Sequence, residues 1–527
     1  MRRSSAGPYA LPVTTQTPPQ PSALPPNSTD KLDKDVLLVA GVVVLGAIMS
    51  ILDITVVSVA QPTFQEEFAA SPALVAWTMT GYTLALAAVI PLTGWAADRF
   101  GTKRLYMLAV GLFTAGSVLC AAASSIEMLV TFRVLQGLGG GMLMPLGMTI
   151  MTRAAGPERI GRVMAVLGVP MLLGPIFGPI LGGWLIDIAS WHWIFLINLP
   201  IGVVALVYAA LVLEKDNPTP SETFDFTGML LLSPGLALFL YGVSSIPEAG
   251  TVFDTKVLTT AAIGLALVAA FVLRTLFRAP DHPLIDLHLF RNRAMSVAVI
   301  TMALFAIAFF GASLLFPSYF LQVRGETTLQ AGLLLAPQGL GAMLTMPVAG
   351  VLTDKIGPGK IVLVGIVTIV VGMAMFTQVA VDTSYPFLLG ALFVMGLGMG
   401  GTMMPIMTSA LQTLTNHEVA RGSTLMNITQ QVAASIGTAL FSVLLTNGFN
   451  DSPAVGQLRA ATEAGQPPSD PSIVPQALAG MADAFGSTFT VATVLVAACL
   501  VPALLLPRRK PADTGADEGT QAAALMH

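Results

Sequence analysis

The stretch "GWAADRFGTKR", residues 94–104, recurs later in the chain as "GVLTDKIGPGK", residues 350–360, an offset of 256. A second pair of segments lies at nearly the same offset, because "GLGGGMLMP" ends at Pro145 and "GLGMGGTMMP" ends at Pro405. In both copies the first stretch is a short charged turn between two long apolar runs. Two separate matches at almost one offset predict an internal duplication of apolar segments.

The composition is typical of a membrane protein. The 527-residue chain is 54% hydrophobic and 10% charged, whereas soluble domains are about 25% charged. Apolar runs of about 20 residues recur from Val36 to Leu506, and a helix of that length crosses about 30 Å of hydrocarbon. A backbone in lipid must satisfy its own hydrogen bonds, so the spans are predicted to be helices. No basic patch with interleaved aromatic residues indicates nucleic acid as a partner.

Fourteen spans are predicted, at residues 36–59, 74–97, 105–124, 128–151, 163–186, 193–213, 228–244, 257–276, 295–320, 330–352, 361–380, 385–411, 422–446 and 485–506. Cytoplasmic segments of membrane proteins accumulate Lys and Arg. With the N-terminus inside, only three of the 25 Lys and Arg residues fall in outer loops, Lys256, Arg324 and Arg459, and Arg133 falls within a span. An odd number of spans would break this pattern, so both termini are predicted to be cytoplasmic.

The duplication also predicts how the chain is divided. We expect a disordered cytoplasmic tail at 1–34, a six-helix bundle at 35–214, a linker with two extra transmembrane helices at 215–293, a second six-helix bundle at 294–507 with an outer loop at 447–484, and a cytoplasmic tail at 508–527. The repeat offset exceeds six helices and their loops by about one helical pair, which the linker supplies. Repeated halves with a site between them are the architecture of secondary transporters.

The run "LDITVVSVAQP", residues 52–62, places a carboxylate, Asp53, inside the first span. A charge at the centre of a membrane helix costs about 2.5 to 3.5 kcal/mol on insertion scales, so such a residue usually faces a partner or a cavity. Asp53 and Arg133 both lie about five or six residues from the outer ends of their spans, or about 7 to 9 Å below the surface. The matching depths predict that they meet. Their repeat positions are Phe309 and Phe393, so the shared packing needs neither charge.

Several motifs in the same order make the chain resemble the fourteen-helix drug:proton antiporters of the major facilitator superfamily, of the EmrB and QacA type. The motifs are "LDITVVSVAQP", "GWAADRFGTKR", "RVLQGLGGGMLMP", "GVPMLLGPIFGPILGG" and "WHWIFLINLPIG". The resemblance covers the chain from about Val36 to Leu506. It implies the major facilitator fold, an all-α integral membrane protein with 14 transmembrane helices in two pseudo-symmetric six-helix bundles, acting as a monomer in the inner membrane of a bacterium.

The resemblance also implies a function: a proton-coupled exporter that moves hydrophobic or cationic small molecules out of the cell by alternating access. The proton gradient would be its energy source, with no cofactor and no enzymatic activity. Asp53 and Arg133 would couple transport to protons, whereas a static ion pair that fixes helix register is the alternative. Gln136 would orient the guanidinium, touch substrate or only pack. Export of an endogenous lipid or metabolite, proton symport into the cell, and a receptor or scaffold that transports nothing stay open as rival functions.

In the resembled family, the turn after the second span locks the cytoplasmic side through contacts between Asp and Arg residues. The candidate gate residues are Gly94, Asp98, Arg99, Gly101, Arg104 and, in the second copy, Asp354. Asp98 ends a helix, where the macrodipole disfavours an anion, so we expect a compensating partner. The second copy has Lys355 and Pro358 in place of Arg99 and Thr102, which leaves its part in the lock open. An ordinary basic loop that serves topology is the alternative.

The fifth span carries a repeated pattern of small residues. Gly174, Gly178 and Gly182 lie at intervals of four, with Pro175 and Pro179 between them. Small residues at this spacing form a groove that another helix can approach closely, and prolines bend or stiffen the helix. In the resembled family this antiporter motif marks exporters rather than importers. Generic close packing is the alternative.

Polar side chains in the spans of the second half are candidates to line a central cavity: Gln338, Asn427, Gln430 and Gln431. The 26 Met and 26 Phe residues also suit bulky apolar or cationic substrates, although most of them are expected to face lipid or other helices. The segment "IGPGKI", residues 356–361, lacks the Ser or Thr of a P-loop, which argues against ATP hydrolysis. The five His residues show no metal-ligand spacing, so no metal site is predicted.

Overall fold

The computed structural model describes residues 33–508 except 157–158, 217–223, 250, 252, 279–282, 416–417, 464–469 and 471. All regular structure in this part of the chain is helical, so the prediction of an all-α protein is confirmed. The two predicted tails, 1–34 and 508–527, lie almost wholly outside the described residues.

Fourteen long helices occupy the fourteen predicted spans. They are α1 (Lys34–Val59), α2 (Pro72–Phe100), α3 (Thr102–Ala121), α4 (Ile126–Ala155), α5 (Ile160–Ile188), α6 (Trp193–Val212), α7 (Phe226–Ser244), α8 (Thr255–Arg278), α9 (Arg293–Gln322), α10 (Leu329–Ile356), α11 (Pro358–Gln378), α12 (Tyr385–Leu411), α13 (Val419–Asn450) and α14 (Ile473–Ala503). Within the described residues, thirteen helices are long and apolar enough to cross a membrane. The fifth predicted span is also one helix, α5.

The helices pack as two halves that meet along two seams. In the first half α4 packs against α1, α2 and α3, and α5 packs against α1. In the second half α12 packs against α9, α10 and α11. The halves meet where α5 packs against α10, and where α2 and α4 pack against α13. The division of the chain at 214/215 and 293/294 stays a prediction.

The two extra helices, α7 and α8, pack against each other, and α7 also contacts α2 and α13. Ring contacts join α7 and the segment just before it to α2, since the ring centroids of Trp77 and Tyr241 are 5.5 Å apart and those of Trp95 and Phe224 are 4.4 Å apart. Arg274 of α8 forms an ion pair at 2.8 Å with Asp225, which precedes α7. The extra pair therefore covers the seam between α2 and α13.

The predicted outer loop at 447–484 is largely helical, which corrects the boundaries drawn from hydropathy. Helix α13 continues to Asn450, α14 begins at Ile473, and a helix at Pro453–Glu463 lies between them. Helices α13 and α14 stay close together beyond their apolar parts. A Cβ added at Gly448 would lie only 2.9 Å from the Cβ of Ala484. Helix that continues beyond the hydrocarbon carries polar residues, so hydropathy does not detect it.

The duplication predicted from the turn motifs has a conformational counterpart. Gly101, after α2, and Gly357, after α10, are 256 residues apart and have φ values of 93° and 88°. Asp216, which follows α6, caps the start of α3 by accepting hydrogen bonds from the backbone N–H groups of Lys103 at 2.9 Å and Arg104 at 3.0 Å. In the second half, the carbonyl of Pro507 accepts a hydrogen bond from Gly359 N–H at 2.9 Å. In each half the end of the sixth helix therefore returns to the start of the third.

Gly101→Ala should destabilise the protein more than Gly156→Ala. Both glycines have positive φ, 93° and 70°, so both variants acquire backbone strain of about 1 kcal/mol. Only at Gly101 would the new methyl group also clash with the side chain of Asp216, whereas nothing lies within 4 Å of a Cβ at Gly156. Thermal unfolding of both variants in detergent measures the difference, and equal losses would show that the contact between Asp216 and α3 is unimportant.

Candidate functional site

The first half packs around two separate apolar clusters with a polar layer between them, and the larger cluster continues into the second half. The larger cluster includes Met49 and Phe113, and the smaller one includes Val56, Cys120 and Leu129. The helices that pass from one cluster to the other carry polar side chains at the boundary: Ser50, Asp53, Thr78, Ser117, Arg133, Gln136 and Asn198, all of them buried. Buried polar groups need hydrogen-bond partners, and the layer supplies most of them internally.

Asp53 and Arg133 form an ion pair at the centre of this polar layer. Arg133 Nη1 donates a hydrogen bond to Asp53 Oδ2, and both side chains are fully shielded from solvent. Arg133 Nε also donates to the carbonyl of Thr78 at 3.0 Å, and its guanidinium carbon lies 4.1 Å from the centre of the Tyr82 ring. Arg133 Nη2 has no hydrogen-bond partner among the described residues. The structure thus brings together the two charges that the sequence places at one depth.

Two amide side chains complete the coordination of the Asp53 carboxylate. Gln136 Nε2 donates to Asp53 Oδ1 at 2.7 Å and to Ser117 Oγ at 2.6 Å, while Gln136 Oε1 accepts from Arg133 Nη1 at 2.7 Å. Asn198 Nδ2 lies 3.4 Å from Asp53 Oδ1 and 3.2 Å from Ser117 Oγ. Gln136 therefore bonds to both members of the ion pair, and its role in orienting the guanidinium stays a prediction. Sequence reasoning missed Asn198 and Ser117, although Asn198 lies in the quoted motif "WHWIFLINLPIG".

The glycines of the motif in α5 contact α1 at residues close to Asp53 in the sequence. A Cβ at Gly174 would clash with Ile51, one at Gly178 would clash with Thr55, and one at Gly182 would lie 3.2 Å from Val56. The groove predicted in α5 thus seats the helix that carries the buried acid. Pro175 and Pro179 also lie within α5, but their side chains are outside the described residues.

The duplicated turns connect the two halves at the predicted cytoplasmic end. Asp98 of the first half lies 3.4 Å from Arg153 Nη2 of α4 and 3.6 Å from Arg421 Nε of α13. Asp354 of the second half lies 3.2 Å from Arg162 Nε of α5 and accepts a hydrogen bond from the backbone N–H of Gly161 at 2.8 Å. The second copy of the motif keeps this contact in spite of its substitutions. Asp354 thus lies at the start of a helix of the opposite half, where the macrodipole favours an anion, and Asp98 contacts a side chain from the first turn of α13.

The cations of this contact are not the ones that the sequence singled out. Arg153, Arg162 and Arg421 pair with the carboxylates, whereas Arg99 and Arg104 make no ion pair within the described part of the chain. Arg104 contributes its backbone N–H to Asp216 instead. Gly94 faces α13 closely, since a Cβ there would lie 3.3 Å from Thr424 Oγ1.

The four amides predicted to line a cavity are all half-buried, and they do not contact the Asp53 layer. Asn427 Nδ2 donates to the carbonyl of Ser423 at 2.8 Å and lies 3.3 Å from Met148 Sδ across the seam. The side chains of Gln338, Gln430 and Gln431 make no hydrogen bond to the described residues. Nor does any group of three His, Cys, Asp or Glu side chains in the residues searched have the arrangement to hold a metal ion.

Gly178→Ala should disturb the Asp53 site, whereas Gly183→Ala should not. The methyl group at 178 would displace Thr55 and with it α1, while nothing lies within 4 Å of a Cβ at Gly183. Overpacking of this kind typically costs about 1 to 3 kcal/mol. The measurement is thermal stability in detergent, with Gly178→Ala/Thr55→Ala as the variant expected to recover most of the loss. Equal stability of the two single variants would contradict the groove.

Asp354→Ala should release the start of α5. The substitution removes the acceptor of the Gly161 N–H and the partner of Arg162, and a lost helix cap costs about 1 kcal/mol. Hydrogen exchange followed by mass spectrometry should show faster exchange in the peptide that covers residues 159–165. Asp382→Ala, at an exposed position, is the control. Unchanged exchange would mean that Asp354 does not hold the two halves together.

Comparisons with known proteins agree with this architecture. Residues 43–438 match the model of the Major Facilitator Superfamily. A "Multidrug resistance protein B homolog" of Mycobacterium tuberculosis is 52% identical over 496 residues, which cover 91% of this chain and 92% of the relative. The "Multidrug export protein EmrB" of Haemophilus influenzae is 33% identical, over 76% of this chain and 79% of the relative.

Solved structures show the same fold at much lower identity. A human organic anion transporter matches with a TM-score of 0.58 and 15% identity, over 88% of this chain and 100% of the other. The proton:xylose symporter XylE matches with a TM-score of 0.55 and 14% identity, over 88% and 96%. The chain therefore belongs to the Major Facilitator Superfamily, as a multi-pass membrane protein of the branch that contains the EmrB-type multidrug transporters.

Proposed function

We propose that this protein exports hydrophobic or cationic small molecules in exchange for protons, and that Asp53 is the group that binds the proton. The observation that carries the proposal is the buried contact between Asp53 and Arg133 inside a layer of amide and hydroxyl groups. The names of the relatives, a multidrug resistance protein homologue and a multidrug export protein, support the direction of transport and the substrate class.

The chemistry of the Asp53 layer supports proton exchange. A carboxylate in a low-dielectric interior is stable only while charges and donors compensate it, and Arg133, Gln136 and Asn198 do so here. A proton on Asp53 cancels the charge that holds Arg133, so protonation weakens the contact between α1 and α4. A static ion pair would have the same resting geometry but would not respond to protons.

The resting geometry also defines what must move. Asp53 is only 2% exposed, and apolar clusters lie on both sides of its layer along the helices, so proton exchange requires helices to separate. At the predicted cytoplasmic end the halves are joined by Asp98 with Arg421 and by Asp354 with Arg162. Opening toward the cytoplasm would break both contacts, whereas opening outward would keep them.

The half-buried amides of α10 and α13 are the proposed polar lining of the substrate cavity. An amide with no partner is costly in hydrocarbon, so the side chains of Gln338, Gln430 and Gln431 are expected to face water between the halves. Asn427 lies nearer the predicted cytoplasmic end, where it contacts Met148. Amide dipoles together with Met thioethers suit weakly specific binding of amphiphilic cations.

The direct test uses purified protein in liposomes with an imposed pH gradient. We expect the wild-type protein to move ethidium against its concentration gradient, because proton return drives it. Asp53→Asn should abolish this uphill movement, because the amide cannot carry the proton. We expect the variant to stay folded, because the amide oxygen can still accept a hydrogen bond from Arg133. Asp451→Asn, at an exposed position, is the matched control and should transport normally.

Two results would contradict the proposal. Uphill transport by Asp53→Asn at the wild-type rate would remove Asp53 from the coupling step. Failure of the wild-type protein to move ethidium or any other lipophilic cation would favour an endogenous lipid or metabolite as substrate, or a protein that does not transport.

A further inference from the structure

Every polar group that contacts the Asp53 carboxylate donates a hydrogen bond to it. Arg133 Nη1 donates to Oδ2, and the amide nitrogens of Gln136 and Asn198 donate to Oδ1, at 2.7 and 3.4 Å. This arrangement satisfies an ionised carboxylate. A protonated carboxyl has one O–H group that must itself donate, and none of these three groups accepts in the geometry observed.

The titratable side chains that face the carboxylate from the surrounding helices cannot supply the missing acceptor. Arg133 has only donors. The Tyr82 hydroxyl of α2 contacts Ser50 Oγ at 3.3 Å, and the Cys120 thiol of α3 lies 3.7 Å from Gln136 Oε1. From α5, glycines of the antiporter motif face α1 beside Asp53. An acceptor for the protonated acid must therefore come from one of the two amides.

Gln136 is not free to turn its oxygen toward Asp53. Its Oε1 accepts a hydrogen bond from Arg133 Nη1 at 2.7 Å, and rotation of the amide would place its NH₂ group against the guanidinium. Two donors would then face each other in a buried site, at the cost of an unsatisfied group on each side. Gln136 thus keeps its orientation while Arg133 remains in place.

Asn198 has the freedom that Gln136 lacks. Both hydrogen bonds of the Asn198 side chain come from Nδ2, to Asp53 Oδ1 and Ser117 Oγ. The side-chain oxygen Oδ1 accepts no hydrogen bond from the described residues. If the amide rotates, Oδ1 takes the place of Nδ2 and faces both Asp53 and Ser117. Ser117 tolerates the exchange because a hydroxyl both donates and accepts, so it can donate to Asn198 while it still accepts from Gln136 at 2.6 Å.

We propose that Asn198 is a positioning residue for proton coupling, which donates to ionised Asp53 in one amide orientation and accepts from protonated Asp53 in the other. The inference rests on the proposed function, because it requires Asp53 to bind the proton. Asn198 is the asparagine of "WHWIFLINLPIG" and lies on α6, which carries neither member of the ion pair. Through Asn198, a change in the protonation of Asp53 would alter a contact of α6. Ser117 holds the amide in both orientations.

The test measures the protonation of Asp53 without measuring transport. Infrared difference spectra of the purified protein, recorded as a function of pH, should show the C=O stretch of a carboxylic acid that is absent in Asp53→Asn. In Asn198→Ala the ionised acid loses one long contact, at 3.4 Å, but keeps its donors Arg133 and Gln136. The protonated acid loses its one acceptor, which is the larger loss, so the midpoint of this signal should move to lower pH by about half to one unit, a threefold to tenfold loss in proton affinity. Asn198→Ser restores a group that can donate or accept, and its midpoint should return toward that of the wild type.

The outcomes separate the two proposals. A midpoint that is unchanged or higher in Asn198→Ala overturns the role of Asn198 and leaves Asp53 as the proton site. A wild-type protein without the carboxylic acid signal overturns both. Should Asn198→Ala not fold, Ser117→Ala carries the test, because it removes the donor to the rotated amide. Its midpoint should also move to lower pH, by a smaller amount, and an unchanged midpoint overturns the inference.

Discussion

The burial of the Asp53 charge is the constraint on which the first half of this structure depends. A carboxylate fully withdrawn from water is stable only with a compensating cation and a complete set of donors, and removal of either member of such a pair leaves an uncompensated charge. Arg133, Gln136 and Asn198 provide this compensation from α4 and α6. The glycines of α5 let the backbone of α1 pack closely beside Asp53, which helps to place its carboxylate near these three donors.

The same helices carry the contacts at the opposite end of the molecule. Helix α4 holds Arg133 near its start and Arg153 near its end, and α2 holds Thr78 near its start and Asp98 near its end. Arg133 bonds to Thr78, and Arg153 pairs with Asp98. In the proposed mechanism, a change of charge at Asp53 shifts α4 relative to α1 and α2, and these continuous helices transmit the shift to the contacts with the second half. Of the extra helices, α7 contacts both α2 and α13 and α8 packs on α7, so the pair lies where such a shift would be felt.

Much of this could be predicted from the sequence, and the limits have physical causes. The spans, the duplication and the common depth of Asp53 and Arg133 follow from hydropathy and from the fixed rise of a helix. Asn198 and Ser117 could not be assigned, because their contacts join helices whose relative rotation no local pattern specifies. For the same reason the sequence did not show that Asp98 and Asp354 pair with Arg153, Arg162 and Arg421 rather than with Arg99 and Arg104. Partial helix in the outer loop was one of two alternatives, but the extent of α13 and α14 could not be read from hydropathy because the extensions are polar.

The central claim is that one buried carboxyl exchanges a proton for substrate. Its most direct measurement is the number of protons released when substrate is added to purified protein in weakly buffered detergent solution, at a pH at which the carboxylic acid signal of Asp53 is present. We expect the wild-type protein to release protons when a lipophilic cation is added. The Asp53→Asn variant should release none under the same conditions. Equal proton release by the two proteins would contradict it, because the proton would then come from another group.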